Sequence, residues 1–110
     1  MDRTTTERLA ARAGVMKAMA HPTRLYIVEE LARGERCVHE LTDMVGADMS
    51  TVSKHLSILK SVGIVSDERR GNEVYYNLAM RCVLGFFECI EDVLSEGSRV
   101  CRRSACRPKS

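Results

Sequence analysis

The feature that most constrains this chain is a change of hydrophobic period at Gly63. Before that glycine, apolar residues recur at helical steps; just after it, the pattern becomes that of strands. Val38, Leu41 and Val45 share one face of a short helix over residues 38–45, and Gly46 stops it. A second helix runs from Asp48 to Lys60, its start capped by Asp48 or Ser50. Val52, Leu56 and Leu59 point inward there, leaving Thr51, Ser53, Lys54, His55 and Ser57 polar and mostly outward. Residues 64–69 and 73–78 then flank Arg70-Gly71-Asn72, which reads as a β-hairpin with Gly and Asn at its tip. Two short helices across a tight Gly turn, followed by a hairpin, make a winged helix–turn–helix.

The flanks complete that plan. Leu9, Ala13, Met16 and Ala20 form one apolar stripe on a helix over residues 5–20, broken by His21-Pro22. Pro22 suits the first turn of the next helix, where a missing N–H costs nothing. That helix passes through Leu31 and ends at Gly34. A last helix over residues 80–96 carries a broad stripe of Val83, Phe86, Phe87, Ile90, Val93 and Leu94, and Gly97 ends it. The expected class is mainly α with a β-hairpin wing, ordered as four helices, two strands and a fifth helix.

In this architecture the second helix of the pair enters the major groove of duplex DNA. Residues 50–60 occupy that place. Ser50, Thr51, Ser53, Lys54, His55 and Ser57 are types that reach phosphates and base edges without steric clash. Arg69, Arg70 and Asn72 of the hairpin tip are then expected along an adjacent backbone or minor groove. The basic excess over residues 50–81 is small, so the order of elements carries this reading, not composition.

Charge is uneven. The chain of 110 residues has a net charge of +2, yet residues 98–110 hold five basic groups and no acid. Residues 1–97 are therefore slightly acidic, and two parts are expected: a folded domain over 1–97 and a basic, cysteine-bearing tail over 98–110. No apolar run approaches the roughly 20 residues that span a membrane. The N-terminal stretch lacks the apolar core of a signal peptide, so a cytoplasmic location is expected. The five cysteines (Cys37, Cys82, Cys89, Cys101 and Cys106) are odd in number and cannot all pair within one chain. In a reducing compartment they are read as thiols.

The segments Met19-Ala20-His21-Pro22-Thr23-Arg24-Leu25, Glu35-Arg36-Cys37-Val38-His39-Glu40-Leu41, Ser50-Thr51-Val52-Ser53-Lys54-His55-Leu56 and Gly71-Asn72-Glu73-Val74-Tyr75-Tyr76-Asn77-Leu78 resemble the ArsR/SmtB family. These are small winged-helix repressors that sense metals and metalloids. The resemblance covers about residues 8–96 and implies a homodimer joined by its first and last helices. It further implies binding of double-stranded operator DNA and release of that DNA when an inducer binds.

The family places inducers at several sites. Some members carry Cys-x-Cys at the start of the first helix of the DNA-reading pair; here the sequence is Cys37-Val38-His39. A helix N-terminus and the neighbouring Arg36 favour the thiolate of such a cysteine. Other members hold zinc between paired last helices; of the corresponding positions Met80, Cys82, Val93 and Glu96, only Glu96 matches. The tail supplies Cys101 and Cys106. With Cys37 these make a three-thiolate set for arsenite or antimonite, and with His39 added a tetrahedral set for zinc, cadmium or lead. Cys37 with Cys101 also suits a thiol sensor of reactive sulfur or oxidants. As(III) or another thiophilic ion is thus the expected inducer, with no organic cofactor.

An enzyme is not expected. Cys37 and His39, if both helical, point about 200° apart, and no phosphate-cradling loop or carboxylate pair accompanies them.

Overall fold

A computed structural model of the chain describes residues 1–96. The expected tail over 98–110, with Cys101 and Cys106, lies outside the described residues, as does Gly97. The elements run α1 (Arg3–Met19), α2 (Pro22–Arg33), β1 (Arg36–Cys37), α3 (Val38–Val45), α4 (Met49–Ser61), β2 (Val65–Arg70), β3 (Glu73–Leu78) and α5 (Val83–Glu96). The chain divides after Ala79, with α1 to β3 in one compact unit and α5 in a second.

Each of the helices α1 to α4 begins where the sequence offers a cap. Asp2 accepts the Thr5 amide at 2.8 Å, so α1 starts at Arg3, two residues ahead of the start expected from its apolar stripe. His21 caps α2, its Nδ1 accepting the Thr23 amide at 3.1 Å, and Pro22 opens the helix. Cys37 and Glu40 form a capping box on α3, in which the Cys37 amide donates to Glu40 Oε1 at 2.9 Å. Asp48 is the N-cap of α4. The tight turn between α3 and α4 needs a left-handed residue, and Gly46 supplies it at φ 80.

The core of the first unit is aliphatic. Ile27, Val28 and Leu31 of α2, Leu41 of α3, and Val52, Leu56 and Leu59 of α4 are essentially inaccessible, as is Ile64 just before β2. Each side chain of this size contributes about 1.5–3 kcal/mol by leaving water. The Ile64 amide donates to the Leu59 carbonyl at 3.0 Å, and the Ala79 amide donates to the Ile64 carbonyl at 2.9 Å. The end of α4 and the base of the hairpin are thereby joined.

Three features differ from expectation. The hairpin is the main part of a three-stranded antiparallel sheet ordered β1-β3-β2, because Arg36 pairs with Tyr76 and Cys37 with Tyr75. A strand of two residues has no period of its own, so only its distant partner reveals it. Arg70 belongs to β2 and pairs with Glu73, which shortens the tip to Gly71-Asn72. Gly71 at φ 62 followed by a residue of negative φ matches a type II′ turn, whose twist suits a hairpin. Finally, α5 starts at Val83 and not at residue 80. The amides of Val83, Leu84 and Gly85 reach back only three residues, forming a tight turn before the regular helix.

The expected α1 stripe is not what the unit buries. Ala18 and Met19 are buried, whereas Met16 stays 51% exposed. On α5, Phe86, Ile90, Val93 and Leu94 are likewise exposed.

Leu56 lies at the centre of the α4 seam. Leu56→Ala should lower the unfolding free energy by about 2–5 kcal/mol, read from chemical denaturation followed by circular dichroism.

Candidate nucleic-acid interface and thiol cluster

Along α4, burial of Val52, Leu56 and Leu59 turns the opposite face outward. Ser50, Thr51, Lys54 and Ser57 are exposed there, and Ser53 is half-buried. Ser50 Oγ donates to Asp48 Oδ2 at 2.7 Å. Hydrogen bonds from Thr51 and Ser50 hold the Asp48 carboxyl below its ordinary range. The hydroxyls expected to meet DNA thus also order the first turn of the helix. At the other end, Lys60 Nζ donates to Asp67 Oδ2 at 2.9 Å, tying α4 to β2. That bond raises the Lys60 pKa.

His55, placed by sequence among the outward residues, is half-buried and turned to the start of α2. Arg24 Nε donates to His55 Nδ1 at 3.1 Å, and Arg24 Nη1 donates to the Ala18 carbonyl at 3.2 Å. The His21 ring lies 4.6 Å from that of His55. One arginine therefore links α1, α2 and α4. Burial, followed by the charges of His21 and Arg24, pushes the His55 pKa down. A neutral Nδ1 is also what the Arg24 bond requires. The sequence signal for this contact was the run His21-Pro22-Thr23-Arg24, but nothing local connects it to a residue 31 positions away.

On the wing, alternation along the strands separates the two arginines. Arg70 shares a face with Glu73 and Arg69 with Val74, its cross-strand partner. Arg70 donates to both Glu35 oxygens at 2.8 and 2.7 Å and to Glu68 Oε1 at 2.9 Å. Its guanidinium also lies over the Tyr75 ring, 4.6 Å from the centroid. The Glu35 bond is the main cause of an Arg70 pKa far above its ordinary value, and Arg70 in turn lowers that of Glu35. Arg70 is thus held against the sheet by its own chain. Arg69 and Asn72 are exposed.

The same sheet face carries a thiol cluster. Cys37 is buried at the end of β1, opposite Tyr75. Continued two residues further, that register leads to His39 and Glu73. His39 Nδ1 donates to Glu73 Oε1 at 3.1 Å. Ligand atoms of Cys37, His39 and Glu73 lie within 4.8 Å of one another. The expected divergence of Cys37 and His39 held only if both were helical. Cys37 is instead extended, at φ −84 and ψ 165, so its side chain leaves the backbone before the helical phase begins. Glu73 was not singled out from sequence, because it joins the pair only through the β1–β3 register. Among the described residues, Cys37 and Cys82 are free thiols.

Stability should fall on mild acidification. The folded state disfavours charged His55, so the unfolded chain binds the proton more readily below the ordinary value of 6.5. The His55 contribution is complete above that pH and is lost as pH drops below it. Thermal melts from about pH 7.5 down to about pH 5.5 should show a falling Tm, with a smaller fall in His55→Gln.

Residues 21–67 match the model of the bacterial regulatory protein, arsR family. The chain is 47% identical over 73 residues to the HTH-type transcriptional repressor SmtB of Mycobacterium tuberculosis, a match covering 66% of this chain and 54% of that protein. It is 34% identical over 84 residues to the nodulation protein NolR of Rhizobium meliloti, covering 76% of this chain and 69% of NolR. The chain thus spans about half the length of the SmtB it matches. Among solved structures, the homodimeric winged helix-turn-helix DNA-binding domain of Mb0332 from Mycobacterium bovis superposes with a TM-score of 0.76 at 34% identity. That likeness covers 87% of this chain and 89% of the domain.

Proposed function

The chain belongs to the ArsR family of bacterial regulatory proteins, and from this premise we propose that it is a homodimeric transcriptional repressor whose grip on operator DNA is released by a thiophilic inducer. The observation that carries the first half is the exposed polar face of α4, with Ser50, Thr51, Lys54 and Ser57 outward over a fully buried seam. Such a face fits a major groove, and its positive groups contact phosphates. Arg69 and Asn72 are the wing contacts in this reading. His55 and Arg70 serve it indirectly: the first fixes α4 on α2, and the second stiffens the wing.

A second copy of the chain suits the apolar side chains left open on α1 and α5, Met16 on one and Phe86, Ile90, Val93 and Leu94 on the other. Two copies present two recognition helices, so the operator is a pseudo-palindrome. No helix among the described residues is long and apolar enough to cross a membrane. The protein is placed in the cytoplasm, where operator DNA lies.

The inducer is placed at Cys37, a free thiol at the start of α3. With Cys101 and Cys106 it forms a three-thiolate set, the donor chemistry that suits arsenite, and that ion supplies three bonds to sulfur. The protein's part is to hold Cys37 where a change at the start of α3 reaches α4 across the Gly46 turn. The coupling is reciprocal: operator DNA weakens inducer binding by the same factor.

Lys54→Ala should weaken binding to specific and random duplexes alike and reduce the salt slope by about one, measured by fluorescence anisotropy across a salt series. Unchanged affinity would remove Lys54 from the interface.

Cys37→Ser keeps a good helix cap, so DNA binding should persist. Titrating arsenite into the reduced wild-type complex should release the operator, and the Cys37→Ser complex should hold.

A further inference from the structure

Two imidazoles at the head of α2 have committed the same atom. His21 Nδ1 accepts the Thr23 amide at 3.1 Å, and His55 Nδ1 accepts Arg24 Nε at 3.1 Å. The rings are half-buried and stand 4.6 Å apart. A ring accepts at Nδ1 only while it is neutral, with its proton on Nε2; the imidazolium carries N–H at both nitrogens and can only donate. Arg24 cannot reverse the roles, because a guanidinium has no acceptor and keeps its charge. We propose that Arg24 is a positioning residue for α4, that its bond to His55 sets how this helix is presented to the major groove, and that one proton taken up at His55 Nδ1 opens the bond and weakens operator binding in mildly acidic solution. The proposal rests on the reading of α4 as the helix that meets operator DNA.

The place of the bond gives it leverage. His55 is at the middle of α4, and Arg24 also donates through Nη1 to the Ala18 carbonyl in the last turn of α1. The far end of α4 is tied to β2 by Lys60 and Asp67. The seam of Val52, Leu56 and Leu59 keeps α4 in the core, but apolar burial is non-directional and fixes the helix roll only loosely. Directional bonds fix the roll, and at the middle of the helix that bond is the one from Arg24. Lys54, the residue before His55, and Ser57, two beyond it, are exposed on the face that this roll presents.

The surroundings oppose the charged ring. Burial, then the charges of His21 and Arg24, hold the His55 pKa below its ordinary value of 6.5. Both cations come from the head of α2. From α1 the cluster receives a backbone carbonyl, and the β2 carboxylate of Asp67 is bonded to Lys60. α3 also packs on α4, and among the described residues it supplies no charge that acts on the ring. A proton on His55 therefore both removes the acceptor and sets a cation against Arg24. Operator binding through the closed bond needs neutral His55, so affinity is complete above the His55 pKa and falls as pH drops through it. Plain attraction between an imidazolium and phosphates has the opposite sign and tightens binding in acid.

The test uses the full reduced chain and a duplex operator selected by the wild type from a random library at about pH 7.5, with fluorescence anisotropy read at fixed salt. Between about pH 7.5 and about pH 5.0 the operator affinity of the wild type should fall at least about threefold, while a random duplex keeps or gains affinity. His55→Asn puts an amide oxygen near the place of Nδ1 and does not titrate, so its own fall should shrink below about twofold. His55→Gln replaces it if that variant does not fold by circular dichroism. An operator affinity that does not fall in the wild type overturns the proposal. So does an equal fall in the His55 variant, which assigns the effect to another group. In the free chain, the Arg24 Nε resonance should shift along the same pH curve as the His55 ring signals. An Nε resonance that stays put while His55 titrates overturns the bond as the switch. Failure of the library to yield any preferred sequence fails the repressor reading and the DNA half of the proposal with it, whereas the Nε resonance still decides whether the proton opens the bond.

Discussion

Two backbone pairs, Arg36 with Tyr76 and Cys37 with Tyr75, bind a segment that precedes the helix pair to one that follows it. Their direct energy is small, since a hydrogen bond nets only about 1 kcal/mol. Their geometric effect is large. They stop the hairpin from being a free two-stranded ribbon, which is marginal in water, and make β3 the centre of a three-stranded sheet. They also hold residue 37 in an extended conformation at the place where a helix begins. The cap of α3, the burial of its thiol and the approach of Glu73 all depend on that short ladder.

The same economy governs the charged residues. A count of basic groups around α4 overstates how many are available to an outside partner. Lys60 is bonded to Asp67 and Arg70 to Glu35 and Glu68, all at bonding distances under 3 Å. Exposed ion pairs of this kind add little to stability, but they set direction. Lys60 fixes the end of α4 against β2, and Arg70 flattens the wing onto Tyr75. Lys54 and Arg69, which face outward, lie on α4 and on the opposite wing face from Arg70. Steering by the net charge is weak in such a chain, so the placement of these cations matters more than their number.

The architecture was legible because its signals are local. The α3 boundaries, the Gly46 turn, the start of α2 at Pro22 and the hairpin around Gly71-Asn72 all follow from spacing and turn chemistry within a few residues. His55 was misread for a related reason. At its position on α4 a polar side chain looks outward, and only the packing of α2 across that helix supplies Arg24 and His21. The start of α1 was missed because Asp2 stands outside the apolar stripe. The candidate thiol site was half legible: Cys37 and His39 stand only two positions apart, whereas Glu73 is 34 residues from His39.

By itself, then, the sequence determined the order of the helices and the hairpin, the buried seam of α4, the cap of that helix and the family to which the chain belongs. These rest on periodicity and backbone preference, which act over one or two turns. The tertiary structure decided which polar groups are spent inside the molecule and which face outward. It also decided that a thiol, an imidazole and a carboxylate converge. Those outcomes depend on strand register and on how α2 lies across α4, and register is fixed by pairing between distant segments that no local pattern encodes.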